Sequence, residues 1–197
     1  MDERNSMIRR QDWTVIERLG DIILNEVKGD IFEIGIGIST PILANLALKF
    51  DRVLYSLEKK QELCNWARIF GGIRFSGKSV NNMKKLTEKP MALGLIDGLH
   101  KATTTNREIS FFLKRLSIGG IIFLHDTYRR ISLLLNSRIK SDPKEINSKK
   151  WVGDIYTVRQ KLEKMENIQV FTWPYTAMNS GLTMIMKLNP DRPYYEK

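Results

Sequence analysis

The sequence has little or none of several features that would set it apart from ordinary globular proteins. Cys64 is the one cysteine among 197 residues, so an internal disulfide is excluded, as expected in a reducing compartment. No apolar run approaches the roughly 20 residues that a transmembrane helix needs. The start, Met1 to Ser6, lacks the apolar region of a secretory signal. No internal repeat or low-complexity block is present. We therefore expect a cytoplasmic protein that does not associate with membranes.

Acidic residues are also fewer than basic residues. The chain has 32 lysines and arginines against 22 acidic residues, which gives a net charge of +10 at pH 7. Such an excess is typical of proteins with an acidic partner, such as RNA or a phosphorylated substrate. The basic residues are spread along the chain, however, whereas nucleic-acid-binding proteins tend to concentrate them on one face. The pattern favours a solvated basic surface and keeps nucleic acid as an alternative partner.

Hydrophobic periodicity alternates between strand and helix along most of the chain, after a first amphipathic helix from Gln11 to Lys28. Strands are predicted at 31–34, 53–57, 73–75, 92–96, 121–124, 168–173 and 182–188. Helices are predicted at 40–50, 61–70, 80–86, 107–116, 128–139 and 154–165, and a polar loop at 140–150. This alternation predicts an α/β fold with a mostly parallel, doubly wound, seven-stranded sheet. The last two strands have no crossover helix between them, so one antiparallel strand is expected near the edge.

The same pattern predicts one domain over residues 1–197. It would consist of an N-terminal helical part (1–30), the sheet core (31–188) and an irregular tail (189–197). Open sheets of this kind bind ligands beyond the carboxyl ends of their strands, at the point where the strand order reverses. The residues that directly follow each predicted strand are therefore the candidates for a functional site.

A glycine-rich turn follows the first strand. Gly35 and Gly37 allow a tight turn and a close approach of the backbone to a ligand. Glu58 follows the second strand, where an acid can accept hydrogen bonds from ribose hydroxyls. The third glycine of the dinucleotide fingerprint is replaced by Thr40, and Glu33 precedes the glycines. A carboxylate at that place would repel a pyrophosphate and suits the cationic amino-acid end of a ligand.

These residues resemble the first motif of the class I S-adenosylmethionine-dependent methyltransferases, acid-x-Gly-x-Gly. Glu58 falls on the ribose-binding acid of that family, and the stretch from Phe75 to Ser79 falls where the third strand leads to the adenine. Lys78 stands where the family commonly has an acid. The resemblance extends from about Ile31 to Lys187 and implies a Rossmann-like fold with S-adenosylmethionine as cofactor. The cofactor contacts that it implies are those of Glu33, Gly35, Gly37, Ser39, Glu58, Ser79 and Asp97.

Polar residues also follow the fourth and fifth strands. Asp97 and His100 come after the fourth strand, and His125, Asp126 and Thr127 after the fifth. Carboxylates, with Thr127 or water, could hold a hard cation such as Mg²⁺ through oxygen ligands. A metal of this kind binds acceptor hydroxyls and lowers the pKa of one, and a histidine can then remove the proton.

This part resembles the metal-assisted O-methyltransferases related to catechol methyltransferases and to those acting on sugars of macrolide antibiotics. In that branch an Asp-x-x-His follows the fourth strand. A Gly-Gly turn, here Gly119-Gly120, precedes the fifth strand, and an acid follows that strand. The resemblance implies that Asp97 and His100 are catalytic, with His100 as the base ahead of His125, and that Asp97 and Asp126 are metal ligands. Catechol enzymes carry asparagine where this chain has threonine after the second acid, and a third carboxylate ligand is not evident.

The sequence as a whole predicts transfer of a methyl group from S-adenosylmethionine to a hydroxyl oxygen of a small molecule, such as a sugar or polyhydroxylated compound. Two alternatives stay open: an RNA methyltransferase, and a methyltransferase-like module that binds without catalysing a reaction. The Lys-Asp-Lys-Glu set of ribose methyltransferases and the Asn-Pro-Pro-Tyr motif of amino methyltransferases are both missing. The N-terminal helix could cover the site or pair with a second subunit in a homodimer.

Overall fold

The computed structural model describes residues 3–76, 88–99, 101–127, 155–173 and 181–189. The strands are β1 (Asp30–Ile34), β2 (Leu54–Leu57), β3 (Ile73–Ser76), β4 (Met91–Ile96), β5 (Leu116–His125), β6 (Ile168–Trp173) and β7 (Leu182–Lys187). The helices are α1 (Glu3–Glu26), α2 (Thr40–Lys49), α3 (Gln61–Ala67), α4 (Ala102–Arg115) and α5 (Tyr156–Leu162), and a 3₁₀ turn at Arg68–Phe70 follows α3. In the described part of the chain, no helix has the length and apolar character that crossing a membrane requires.

The seven strands form one sheet in the order β3-β2-β1-β4-β5-β7-β6. The first five strands pair in parallel, and β7 lies antiparallel between β5 and β6. The predicted α/β class and the antiparallel strand near the edge are both confirmed. The strand order reverses between β1 and β4, because the chain moves outward to β3 and then returns to the other side of β1. Such a reversal leaves a crevice beyond the carboxyl ends of the two strands.

Each face of the sheet carries its own apolar core. Helices α1 and α2 cover one face, where Ile16 and Leu43 are fully buried. Helices α4 and α5 cover the other, where Phe112 and Val158 are fully buried. Successive side chains of a strand point to opposite faces, so Glu33 of β1 lies on the α2 side of the sheet. A carboxylate therefore enters a layer that is mostly apolar.

Three element boundaries differ from the predictions. Helix α4 begins at Ala102, earlier than predicted, because three threonines of low helix propensity conceal its first turn in the sequence. Helix α1 likewise begins at Glu3, ahead of its predicted start at Gln11. Gly119 and Gly120 lie within β5 and not in a turn before it. The register against β4 shifts there, and Gly119 adopts a φ of 78°, which is the geometry of a bulge in the strand. The predicted helices at 80–86 and 128–139, the loop at 140–150 and nearly all of the tail lie outside the described residues.

Candidate active site

The turn after β1 is locked against the end of β4. Gly35 has a φ of 90°, and a β-carbon there would lie 2.1 Å from the carbonyl oxygen of Asp97. The Asp97 amide donates a hydrogen bond to the Ile34 carbonyl oxygen at 2.9 Å. Both the backbone conformation and the close approach require glycine at position 35. The fold alone therefore explains Gly35, and it places Asp97 directly beside the turn.

Gly37 is different, because no described atom lies within 4 Å of the position that its β-carbon would take. Its φ is not positive, and its amide donates to the Thr40 hydroxyl oxygen at 3.0 Å. Neither conformation nor packing in the described part of the chain demands glycine here. The open space in front of Gly37 is where a ligand would approach the backbone most closely.

The hydrogen bonds of Glu33 hold the turn after β1 in place. Its carboxylate is fully buried and accepts hydrogen bonds from the hydroxyls of Ser39 at 2.8 Å, Ser56 at 2.9 Å and Thr40 at 3.0 Å. Burial raises the pKa of Glu33 to about 7, and the three hydroxyl donors oppose that rise. The contacts tie β1, β2 and the start of α2 together. The predicted contacts of Glu33 and Ser39 with a cofactor stay predictions.

Glu58 ties the end of β2 to the same turn. One carboxylate oxygen accepts from the Ile36 amide at 3.1 Å, and the other accepts from the Lys59 and Lys60 amides at 2.7 Å. An ionised carboxylate offers about four acceptor positions. Glu58 is half-buried, so acceptor capacity is left beside the open space at Gly37.

A second polar group lies at the ends of β4 and β5. The Nδ1 atom of His125 lies 3.4 Å from Asp97 Oδ1 and 3.2 Å from Asp126 Oδ1. Both contacts are within ion-pair distance, but neither has the alignment of a hydrogen bond, so Nδ1 is buried without a hydrogen-bond partner. Asp126 has a φ of 59°, a left-handed conformation that is uncommon outside glycine. That backbone twist coincides with a carboxylate directed back at the neighbouring imidazole.

Helix α1 supplies the rest of this group. Asp12 Oδ2 lies 3.3 Å from His125 Nε2, and the Trp13 ring stacks on the imidazole with centroids 5.3 Å apart. Asp12 is 8% exposed. The sequence analysis missed both residues, because nothing local in the pattern of α1 indicates which strand end the helix approaches. Within this chain the helix therefore covers the site.

The three carboxylates determine the charge of His125. Burial alone would lower its pKa, but Asp12, Asp126 and Asp97 outweigh burial and hold the pKa well above 6.5. The site thus favours a positive charge at the imidazole. Since an imidazolium has no lone pair to accept a proton, His125 is poorly suited to act as a general base at neutral pH.

The structure brings most of the predicted residues together in two adjoining groups. Glu33, Gly35, Gly37, Ser39 and Glu58 surround the turn, and Asp97 and Asp126 lie beside it. His100 and Ser79 lie outside the described residues, so the predicted base and the predicted adenine contact stay predictions. Thr127 is fully buried, and its hydroxyl accepts from the Thr183 hydroxyl at 2.7 Å, which directs it toward β7.

The residues present fit a divalent metal ion. One ligand atom from each of Asp97, His125 and Asp126 can be chosen so that all three lie within 4.8 Å of one another. Two of these are the carboxylates that the sequence predicted. A histidine nitrogen is the third potential ligand, where no third carboxylate was evident.

Comparison with known proteins agrees with this geometry. A family model described as a methyltransferase domain matches residues 32–127, a span from β1 to just past β5 that contains both groups except for Asp12 and Trp13. No curated protein sequence matches the chain.

Three similar solved structures represent the range of the structural matches. The O-methyltransferase TomG from Streptomyces achromogenes, in complex with SAM, is 13% identical, with 91% of this chain and 80% of that chain covered and a TM-score of 0.66. An O-methyltransferase from Bacillus cereus in complex with SAH is 16% identical, with 90% and 80% covered and a TM-score of 0.68. An rRNA methylase from Streptococcus thermophilus is 16% identical, with 87% and 95% covered and a TM-score of 0.53. The sheet order, the glycine turn and the family match over residues 32–127 agree with the resemblance to the class I S-adenosylmethionine-dependent methyltransferases.

Proposed function

We propose that the protein transfers the methyl group of S-adenosylmethionine to a hydroxyl oxygen of a small molecule, such as a sugar or polyhydroxylated compound. The observation that carries this proposal is the convergence of Asp97, His125 and Asp126 at the sheet edge that also holds the Gly35–Gly37 turn. Groups that can bind a hydroxyl thus lie next to the place where the cofactor would deliver a methyl group. The O-methyltransferase descriptions of the Streptomyces and Bacillus proteins support the same reading.

The cofactor would lie along the carboxyl ends of β1, β2 and β4. The open space at Gly37 suits its methionine part, since the backbone there can approach a ligand closely. Glu58 would accept hydrogen bonds from the ribose hydroxyls, and Ser79 would lie on the adenine side. Asp97, beside Gly35, would face the reacting end of the cofactor.

The reaction itself is a direct displacement at the sulfonium methyl. The acceptor oxygen forms a bond to the methyl carbon while the carbon–sulfur bond breaks, and sulfur keeps the electron pair as S-adenosylhomocysteine forms. The acceptor proton passes to a base, for which His100 is the candidate that the sequence predicts. A divalent cation held by Asp97 and Asp126 would lower the pKa of the acceptor hydroxyl. The remaining task of the protein is alignment and exclusion of water.

The test is transfer of a labelled methyl group from S-adenosylmethionine to a panel of catechols, sugars and polyols, with and without divalent cations. We expect labelled methyl ethers from at least one class, and loss of product in Asp97→Asn. Glu166→Gln, an exposed change remote from the turn, is the matched control and should retain activity. Binding of S-adenosylhomocysteine without any transferred label would favour a binding module over an enzyme.

RNA is the second candidate acceptor. The net charge of +10 favours an anionic partner, and the rRNA methylase from Streptococcus thermophilus has 95% of its length covered. A filter-binding titration against structured RNA at physiological salt distinguishes an RNA acceptor from a small-molecule acceptor, since phosphate contacts weaken steeply with salt. Absence of binding at that salt would reject RNA as the substrate.

A further inference from the structure

We propose that His125 is the third ligand of a metal site with Asp97 and Asp126, and that this mixed nitrogen–oxygen site binds a first-row transition ion such as Mn²⁺, Co²⁺ or Zn²⁺ in preference to Mg²⁺. The inference refines the metal assistance within the proposed function and rests on it for its catalytic meaning. Metal binding itself can be measured without methyl transfer, so the two can fail separately.

The distances fit such a site. Two ligand atoms that each lie about 2.1 Å from one metal are roughly 3.0–3.4 Å apart, across a right or a tetrahedral angle. His125 Nδ1 lies 3.2 Å from Asp126 Oδ1 and 3.4 Å from Asp97 Oδ1. Two of the three ligand–ligand distances therefore suit one ion, and one ligand atom from each of the three residues lies within 4.8 Å of the others.

Asp12 determines which ring nitrogen of His125 can bind a metal ion. An ionised carboxylate can only accept a hydrogen bond, so the contact at 3.3 Å requires that His125 Nε2 carries the hydrogen. In the neutral imidazole the lone pair is then on Nδ1, where it faces two carboxylates. That arrangement is repulsive unless a proton or a metal cation lies between them, so a bound metal would take the place of the proton that Nδ1 carries in the metal-free protein.

The surroundings of the histidine match those of a metal ligand. A metal-ligating histidine almost always donates its other ring N–H to a carboxylate, carbonyl or water, which fixes the tautomer and the ring orientation. Asp12 is nine-tenths buried, and its position on α1 makes it an outer partner, not a ligand. The stacked Trp13 ring further limits rotation of the imidazole.

The donor set decides the class of ion. Mg²⁺ prefers octahedral oxygen ligands and keeps several waters, whereas imidazole suits zinc, iron, nickel and copper. One nitrogen with two carboxylate oxygens should therefore bind transition ions more tightly than Mg²⁺. A site of oxygen ligands alone would show a weaker preference for these ions.

The experiment is a titration of EDTA-treated protein with Co²⁺, Mn²⁺ and Mg²⁺ by calorimetry, with visible absorption as a second readout for Co²⁺. We expect Co²⁺ to bind at least tenfold more tightly than Mg²⁺. His125→Asn should lose most of the Co²⁺ affinity while its S-adenosylhomocysteine binding stays unchanged. Asp12→Asn should lose about 10–100-fold in affinity, whereas Asp21→Asn, an exposed change on the same helix, should not.

The native protein supplies a test that does not depend on how a variant folds. The chain has two histidines, so paramagnetic Co²⁺ should give one ring the large shift of a direct ligand in the proton NMR spectrum, and His100→Gln should identify that ring as His125. Equal affinity for Co²⁺ and Mg²⁺, an unshifted His125 ring, or unchanged Co²⁺ binding in His125→Asn would overturn the proposal. Methyl transfer without metal binding would reject this inference alone, and metal binding without methyl transfer would reject the proposed function alone.

Discussion

The carbonyl oxygen of Asp97 occupies the space that a side chain at position 35 would need, 2.1 Å from the expected β-carbon of Gly35. The two glycines of the turn therefore lie in different surroundings. Gly35 is fixed by contact between two strand ends, whereas no described atom lies within 4 Å of the β-carbon position at Gly37. A pair of alanine substitutions separates the fold from ligand binding.

We predict that Gly35→Ala destabilises the protein by more than about 2 kcal/mol, since it combines a left-handed backbone with a steric clash. Gly37→Ala should change stability by less than about 0.5 kcal/mol, as is usual for substitutions without new contacts. It should nevertheless weaken S-adenosylhomocysteine binding at least tenfold, because the methyl group enters the open space. Urea unfolding and calorimetry measure the two effects. Unchanged binding in Gly37→Ala would mean that the cofactor does not use that space.

Glu58 offers a graded test of the cofactor site. Glu58→Ala removes every side-chain acceptor from the ribose hydroxyls and from the Ile36 amide. Hydrogen bonds to charged groups contribute about 1.5–3 kcal/mol, so we predict a loss of affinity for S-adenosylhomocysteine of roughly 10–100-fold. Glu58→Gln keeps one acceptor oxygen, so its affinity for S-adenosylhomocysteine should lie between those of the native protein and of Glu58→Ala. Glu62→Ala, an exposed change on α3, is the control, and equal binding by all the variants would place the ribose elsewhere.

Local sequence patterns predicted the sheet and the turn because both depend on short-range signals. Alternating apolar segments identified the strands, and the glycines identified a tight turn after β1. The contact of Asp12 with His125 joins residues 113 positions apart, and the periodicity of α1 indicates only which residues are buried. Helix packing decides which strand end they meet, so neither Asp12 nor the importance of His125 could be found in the sequence.

Glu33 illustrates a second limit. The predicted contact of Glu33 with the cofactor stays a prediction, but the sequence did not indicate that the carboxylate is buried beneath the turn with three hydroxyl donors. Ser39, Thr40 and Ser56 are common residues in turns and strands, and no pattern indicates that they converge on one acid. A motif therefore predicts where a residue lies more reliably than what its side chain contacts.

Two buried carboxyl groups should make the stability fall as pH rises. Burial raises the pKa of Glu33 and of Glu108 from 4.5 to about 7. Between those values the folded protein keeps protons that the unfolded chain has released, so the free energy of unfolding decreases from pH 4.5 to about pH 7 and then levels off. A shift of this size corresponds to at most roughly 3 kcal/mol for each group.

Glu108→Gln isolates one of these contributions. Glu108 is 6% exposed and its Oε2 atom has no hydrogen-bond partner, so a neutral amide of the same shape removes charge without breaking a contact. We predict that Glu108→Gln is more stable than the native protein at pH 8, by up to roughly 3 kcal/mol, and equally stable near pH 4.5. Urea unfolding at several pH values measures this difference. Glu166→Gln, which alters an exposed acid, should leave the pH profile unchanged, and an unchanged profile in Glu108→Gln would refute the assignment.

The left-handed backbone of Asp126 allows its strain to be separated from its charge. Its φ is 59°, and Asp51, which is exposed and distant from the site, has a φ of 51°. Alanine is disfavoured in this conformation by roughly 1–2 kcal/mol, whereas glycine adopts it freely and asparagine tolerates it. We predict that Asp126→Ala and Asp51→Ala both lose about 1 kcal/mol of stability, and that Asp126→Gly loses none from the backbone.

The methyl-transfer activities of the same variants should differ in another order than their stabilities. Asp126→Gly and Asp126→Asn both keep the backbone conformation but lack the carboxylate beside His125, so both should lose methyl transfer. Asp51→Ala should retain it, because that residue lies after α2 and away from the turn. The measurement is product formation with the acceptor identified in the methyl-transfer screen, in parallel with urea unfolding. Full activity in Asp126→Gly would show that the carboxylate is dispensable and that the strained backbone alone serves to orient the end of β5.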